Sequence, residues 1–230
     1  MSKHRIKFSK TGMAKYISHL DLLRCFTRSI MRAGLPVKYS QGFNPHQKIT
    51  FSLPLSIGVT SECEFVDIDF EDGIRHDEIH ERLDKNMPPD ISVLEVYDIV
   101  KSANDIVSAK YIVTLFTDEK CDPAKLSEFF DSGEVAITKK TKKKGEVQVN
   151  LMDFVKGWNI LEAPDLKSDD GYMTEFEIVL SAGGQSNLKP EIAVEALCSY
   201  LAPYNPVKSY DIHRKKIYCK CSDDIIEEFK

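Results

Sequence analysis

Long apolar runs and paired cysteines are both missing from this chain, and each absence narrows its class. No stretch approaches the ~20 consecutive apolar residues of a membrane-spanning helix, and the N-terminal MSKHRIKFSK lacks the apolar core of a signal peptide. We therefore expect a cytoplasmic protein without a membrane segment. The cysteines form no C-x-x-C motif, so idle thiols in a reducing compartment are expected rather than disulfides. The six cysteines are Cys25, Cys63, Cys121, Cys198, Cys219 and Cys221.

The motifs of the common enzyme classes are absent as well. The chain has no G-x-x-x-x-G-K-[ST] phosphate loop, no G-x-S-x-G, no H-E-x-x-H and no dinucleotide fingerprint. The Gly183-Gly184 pair before a predicted helix lacks the rest of a phosphate-binding motif, so we interpret it as a plain loop. We expect no cofactor and no bound metal.

Acidic residues are scarce at the start of the chain, although the whole protein is acidic. Residues 1–61 hold ten Lys or Arg and one acid, a net charge of +9, whereas residues 62–230 hold 21 Lys or Arg and 35 Asp or Glu, a net charge of −14. A basic segment on an otherwise acidic chain predicts a surface that faces a polyanion.

A basic amphipathic helix is predicted between Ser18 and Ala33. Ser18 followed by Asp21 is typical of a helix N-cap, and Gly34 with Pro36 is typical of a helix end. On a helical wheel the apolar residues share one broad arc, which we expect to face the core. That arc comprises Leu20, Leu22, Leu23, Phe26, Ile30, Met31 and Ala33.

Three arginines at a spacing of four residues form a stripe on the opposite side of this helix. Only Asp21 lies within helical reach of Arg24, so Arg24, Arg28 and Arg32 lack the acids that a solvated helix usually carries. A plain solvated face is the alternative. Because like charges four residues apart repel, the uncompensated stripe favours phosphate binding.

The loop that follows, residues 39–48 (YSQGFNPHQK), is rich in stacking and hydrogen-bonding groups. Tyr39 and Phe43 offer ring faces, and Gln41 and Asn44 offer amides, as in proteins that recognise single-stranded RNA. The alternative is that Phe43 plugs the loop onto the core while its neighbours only satisfy turn geometry.

His19 and His46 admit three interpretations. They can recognise bases or fix local structure, or they can act as an acid–base pair that cleaves RNA through its own 2′-hydroxyl. Together with Asp21 they can also bind a metal, for which the sequence evidence is weak.

The order of predicted elements indicates an α+β fold with two tandem ferredoxin-like (split βαβ) domains and antiparallel sheets. The first domain is expected over residues 1–100 and is predicted to be basic. The linker is expected over residues 101–108 and the second domain over residues 109–230. A lysine-rich hairpin tip is expected at residues 139–144 (KKTKKK). This architecture also resembles, at the level of fold, the repeat-associated endoribonucleases of CRISPR systems, which keeps a nuclease as an alternative.

Several segments of the first 70 or so residues carry a more specific resemblance. They are KFSKTG from residue 7, ISHLDLLR from 17, RAGLP from 32, YSQGFNPH from 39 and LPL from 53. They resemble the radical-SAM-linked family of bacterial proteins of unknown function, which are similar to domains fused to or encoded beside cobalamin-binding radical-SAM proteins. The family pattern carries proline where this chain has Gln47. The chain has no C-x-x-x-C-x-x-C cluster motif, so the resemblance implies a companion of a radical-SAM protein.

These observations predict an RNA-binding accessory protein that presents tRNA or rRNA to a radical-SAM partner. A metal-independent endoribonuclease using His19 and His46 is one alternative, and a module that docks the partner without contacting RNA is another. The residues predicted to contact RNA are Lys7, Lys15, His19, Arg24, Arg28, Arg32, Tyr39, Gln41, Phe43, Asn44, His46 and Lys48.

Overall fold

The computed structural model describes residues 3–141, 145–161, 166–168, 171–222 and 225–230, and it divides into two compact units. The first unit comprises the described residues up to Asp105 together with Glu227–Lys230. The second comprises the described residues between Ile106 and Ile226.

The first unit follows the order strand, helix, strand, strand, helix, strand. Its sheet has the order β4-β1-β3-β2, and every neighbouring pair is antiparallel. A 3₁₀ helix, Gly12–Tyr16, leads into α1, and a second one, Ala103–Asp105, follows β4. The elements are β1 Lys3–Lys10, α1 His19–Arg32, β2 Ile49–Phe51, β3 Thr60–Asp69, α2 His76–Asp84 and β4 Ile91–Asp98.

The core of the first unit lies between this sheet and its two helices. Ile6 and Phe8 on β1 pack with Phe26 and Ile30 of α1, all fully buried. Burial of each such side chain stabilises the fold by about 1.5–3 kcal/mol. Arg82 of α2 donates to the backbone oxygens of Ala33 and Gly34, which are left open where α1 ends. The position of α1 is therefore fixed at its C-terminus as well as along its buried face.

The second unit has the sheet order β11-β5-β10-β8, and a separate hairpin of β6 and β7 is inserted after its first helix. Asp122 caps α3 by accepting from the backbone N–H of Ala124, and Pro123 occupies the first helical position. The elements are β5 Ile106–Thr117, α3 Pro123–Asp131, β6 Ala136–Thr141, β7 Gly145–Asn150, β8 Val155–Ile160, β9 Leu166–Ser168, β10 Gly171–Ser181, α4 Pro190–Leu201, β11 Val207–Ser222 and β12 Ile225–Glu228.

The described residues thus form a mixed α/β protein with mostly antiparallel sheets and four α-helices. Within each unit the first strand lies between the last strand and the third of the four sheet strands, so the strand order is the same in both. The assignment of both units to the ferredoxin-like class stays a prediction. β5 begins at Ile106, inside the stretch expected as a linker, because its alternating apolar residues already enter the sheet there. None of the described helices is long and apolar enough to cross a bilayer.

Candidate nucleic-acid interface

The first turn of α1 is capped as the sequence predicted. The Ser18 hydroxyl accepts from the backbone N–H of Asp21 at 3.2 Å and donates to the Asp21 carboxylate at 2.7 Å. The same carboxylate accepts from the Arg24 guanidinium at 2.9 Å. The hydrogen bond from the Ser18 hydroxyl and, to a smaller extent, that from Arg24 hold the pKa of Asp21 below its ordinary value. Asp21 therefore stays ionised and neutralises part of the charge of Arg24.

The prediction that Leu20 and Met31 face the core is wrong. Their side chains are 62% and 65% exposed, respectively. At about 100° per residue they fall about 20° apart on the wheel and directly beside Arg24, whereas the buried Ile30 and Phe26 lie about 80–140° away from them. The solvent side of α1 therefore mixes apolar and cationic side chains, which suits a ligand with both charged and flat apolar parts.

The three arginines of the stripe differ in what they already bind. Arg24 is paired with Asp21. Arg32 donates to the hydroxyl of Ser29 at 2.9 Å and to the backbone oxygen of Asn86 at 2.6 Å. Arg28 is exposed and makes no hydrogen bond or ion pair with any residue that the structure describes. Arg28 is thus the arginine most available to an incoming phosphate.

The lysines predicted to contact RNA have acidic or aromatic neighbours. Lys7 is only 18% exposed and pairs with Glu95 at 3.5 Å, whereas Lys48 lies 3.8 Å from Asp69. The amine of Lys15 lies 5.4 Å from the centre of the Tyr16 ring. The geometry does not favour Lys7 as a phosphate contact.

The charge of the first unit as a whole also differs from that of its first 61 residues. The unit contains 15 Lys or Arg and 17 Asp or Glu, a net charge of −2, so the excess of positive charge does not extend over the whole unit. The acids come from later in the chain and pair with the early cations, as Glu95 and Asp69 do. Net charge therefore does not distinguish this unit, although the exposed side of α1 carries Arg24, Arg28 and Arg32.

The 39–48 loop is closed on itself by short contacts. Tyr39 bridges to Gln47 across the base of the loop. The Ser40 hydroxyl lies 2.9 Å from Nδ1 of His46, and the backbone N–H of His46 donates to the same hydroxyl at 3.1 Å. Phe43 at the tip is fully exposed, so it does not plug the loop onto the core. Gln41 and Asn44 are exposed beside it.

Gln47 is the residue that joins this loop to α1, and the sequence analysis missed that role. Its side-chain amide donates to the backbone oxygen of Thr27 at 3.4 Å and to the Tyr39 hydroxyl at 3.5 Å. The side chain is buried, yet its Oε1 has no hydrogen-bond partner among the described residues. Gln47 also lines a cavity of about 300 Å³ with Lys3, His46, Lys48, Ile49, Thr50 and Asp69.

His19 and His46 occupy different surroundings. The His19 ring is exposed and packs edge-on against Phe51, with ring centres 5.2 Å apart. His46 is held by Ser40 in the loop. In the part of the chain that the structure describes, no hydrogen bond or ring contact joins the two histidines. The arrangement offers no observation in favour of an acid–base pair.

Outside this surface, the cysteine thiols are expected to be idle. Burial raises the pKa of the Cys25 and Cys121 thiols and raises that of Cys198 to about 11, which keeps them protonated and unreactive.

Of the predicted lysine-rich tip, residues 142–144 lie outside the described residues. Lys139 lies over the Phe154 ring at 4.5 Å, and Lys140 lies 3.4 Å from Glu146.

A family model matches most of the chain, residues 3–190. The chain belongs to the family described as uncharacterized protein conserved in bacteria (DUF2344). No curated protein matches this DUF2344 member. The family description does not mention the radical-SAM association that the sequence segments predict.

Several solved structures resemble this DUF2344 chain at low identity. A chain of a Cbf5-Nop10-Gar1 complex has a TM-score of 0.48 and 10% identity, covering 93% of this chain and 48% of that chain. A chain of an H/ACA RNP bound to a substrate RNA containing 2′-deoxyuridine also has a TM-score of 0.48 and 10% identity, with coverage of 92% and 46%. A chain of an archaeal box H/ACA sRNP Nop10-Cbf5 complex has a TM-score of 0.46 and 10% identity, covering 92% of this chain and 46% of that chain. This chain spans about half the length of the solved chains it matches.

Proposed function

We propose that this protein is an RNA-binding accessory protein that holds a single strand on the exposed side of α1 and on the 39–48 loop. The observation that carries the proposal is the placement of Arg28. Its guanidinium is exposed and unpartnered among the described residues, and it lies on the same helix side as the exposed Leu20 and Met31. The contact of Gln47 with Thr27 brings the loop that bears Phe43 to this helix.

The helix and the loop would contribute differently to binding. Phosphates are alike at every nucleotide, so Arg28 and Arg24 would supply affinity without sequence preference. Phe43 would stack on one base, and the amides of Gln41 and Asn44 would contact base edges. The unpartnered Oε1 of Gln47 and the cavity beside His46 would accept a base or sugar donor next to the stacked position.

The partner in this proposal is a radical-SAM protein that modifies the bound RNA, with tRNA or rRNA as substrate. The support is the resemblance of residues 17–24 and 39–46 to the radical-SAM-linked family. The protein would present its RNA and would carry no catalytic residues of its own. A module that docks an acidic partner without RNA uses the same surface and is distinguished by the experiment that follows.

The decisive experiment measures RNA affinity against salt. Fluorescence anisotropy of a labelled single-stranded RNA should show log affinity falling linearly with log salt, with a slope near −0.7 for each phosphate contact. Arg28→Ala should reduce the steepness of that slope by about 0.7, because one contact is lost.

The matched control is Arg75→Ala. Arg75 is also exposed and lies in the first unit, but it is bound to Asp77 just before α2. It should leave both slope and affinity unchanged. If the wild type has no measurable affinity for RNA at low salt, the proposal fails and the docking module takes its place. If Arg75→Ala flattens the slope as much as Arg28→Ala, the contact surface is not the one proposed.

A further inference from the structure

Two histidines and an aspartate from three different elements meet at the edge of the first unit. His4 lies on β1 directly opposite Asp98 of the neighbouring strand β4. His76 is the first residue of α2. Nδ1 of His4 lies 3.0 Å from Nε2 of His76 and 3.7 Å from Oδ1 of Asp98, and the third edge, from His76 to Asp98, is 3.3 Å. Three potential ligand atoms thus form one nearly equilateral triangle.

We propose that His4, His76 and Asp98 bind a divalent transition metal of the zinc class. Zinc holds imidazole nitrogens at about 2.0–2.1 Å and carboxylate oxygens at about 2.0–2.2 Å, and a tetrahedral arrangement then separates the ligand atoms by about 3.3–3.5 Å. The three observed edges, 3.0, 3.3 and 3.7 Å, lie around that value. Two of the three ligands are imidazoles, which suit zinc and its neighbours, whereas magnesium and calcium prefer sites made of oxygen ligands.

Hydrogen bonding alone explains the arrangement of these three side chains less completely than a shared metal ion does. A neutral His76 ring has a single N–H, yet its Nε2 faces both the His4 nitrogen and the Asp98 oxygen. The distance of 3.7 Å between His4 and Asp98 is too long for a hydrogen bond. One cation at the centre of the triangle would satisfy all three atoms at once.

The cluster is buried on the side of His4 and open to solvent on the side of His76 and Asp98. The His4 side chain is only 8% exposed and lies beside Phe70, with ring centres 5.9 Å apart. His76 and Asp98 are 41% and 75% exposed, respectively. A metal could therefore enter from solvent and keep a fourth position for water or an external ligand. Bound there, it would fasten the start of α2 to the edge strands β1 and β4.

The test is a titration of the full chain with zinc after removal of metals with a chelator. Calorimetry should show one high-affinity site per chain, and Co²⁺ should give the visible absorption bands of tetrahedral coordination. Zinc at about a hundredfold excess over Kd should raise the melting temperature by about 5–10 °C. Because loss of an outer-shell partner alone costs 10–100-fold in affinity, His76→Gln should weaken binding by at least about 100-fold.

Asp98→Asn serves as a second variant, because its exposed side chain can be changed without disturbing the core. It should weaken zinc binding by at least about 10-fold, and without metal both variants should melt within about 2 °C of the wild type. His80→Gln on the same helix is the control and should bind zinc as the wild type does. A wild type without a one-to-one site, variants that bind zinc normally, or a His80→Gln variant that loses the site would each overturn the assignment.

Discussion

At the scale of single residues, the availability of a cation matters more than its position in the sequence. Arg5 is buried between the Asp67 carboxylate and the Phe229 ring, so it stabilises the sheet and cannot reach a ligand. Lys7 is similarly paired with Glu95. Arg28, from the same basic segment, has an exposed guanidinium with no partner in the described residues. The excess of positive charge in the sequence therefore reduces to a few side chains that can bind.

The clearest residue-scale prediction concerns Phe43. Phe43→Ala should lower affinity for single-stranded RNA by about 1–3 kcal/mol, which is the contribution of one stacked base. Because the ring is fully exposed, the melting temperature should not change. Anisotropy titrations and thermal melts of the two proteins measure both quantities.

Tyr204→Ala is a suitable control, because Tyr204 is an exposed aromatic residue of the second unit. It should leave RNA affinity unchanged. Full affinity in Phe43→Ala would mean that the loop only connects strands and does not contact RNA.

At the scale of elements, the sequence predicted α1 well and its surroundings poorly. The Ser18 cap, the end near Gly34 and the buried positions of Phe26 and Ile30 follow from local chemistry, and the structure confirms them. The exposure of Leu20 could have been found by a stricter helical wheel. The anchoring of the loop could not, because Gln47 bonds to the Thr27 carbonyl, 20 residues earlier in the chain.

The cap also gives an element-scale prediction. Ser18→Ala should lower the free energy of unfolding by about 1 kcal/mol, because the backbone N–H of Asp21 loses its acceptor and the Asp21 carboxylate loses a donor. The melting temperature should fall by about 2–4 °C. Calorimetry or circular dichroism at neutral pH provides the measurement.

Ser199→Ala on α4 is the matched control. Among the described residues its hydroxyl donates only to the Glu195 carbonyl of the same helix, so the change should stay within about 0.5 kcal/mol. Equal losses in the two variants would show that the contribution of Ser18 is not a capping effect.

At the scale of the whole molecule, the alternation of strands and helices was predictable, whereas the placement of charge was not. Sequence patterns predicted a mixed fold of helices and antiparallel strands, which the structure shows, and they placed α1 to within about one residue at each end. Net charge along the sequence suggested a basic domain, but sheet pairing brings acids such as Asp67, Asp69 and Glu95 beside the early cations. The triad of His4, His76 and Asp98 likewise depends on contacts across 72 and 22 residues, which no local pattern indicates.

The most direct test of RNA binding by α1 and the 39–48 loop is ultraviolet cross-linking of bound single-stranded RNA to the full chain. Mass spectrometry of the protease-digested complex then identifies the peptides that carry nucleotides. We expect cross-links within residues 16–32 and 39–48, with Phe43 or Tyr39 among them, and their loss when salt is raised. Cross-links confined to residues 106–226, or none at low salt, would contradict the proposal.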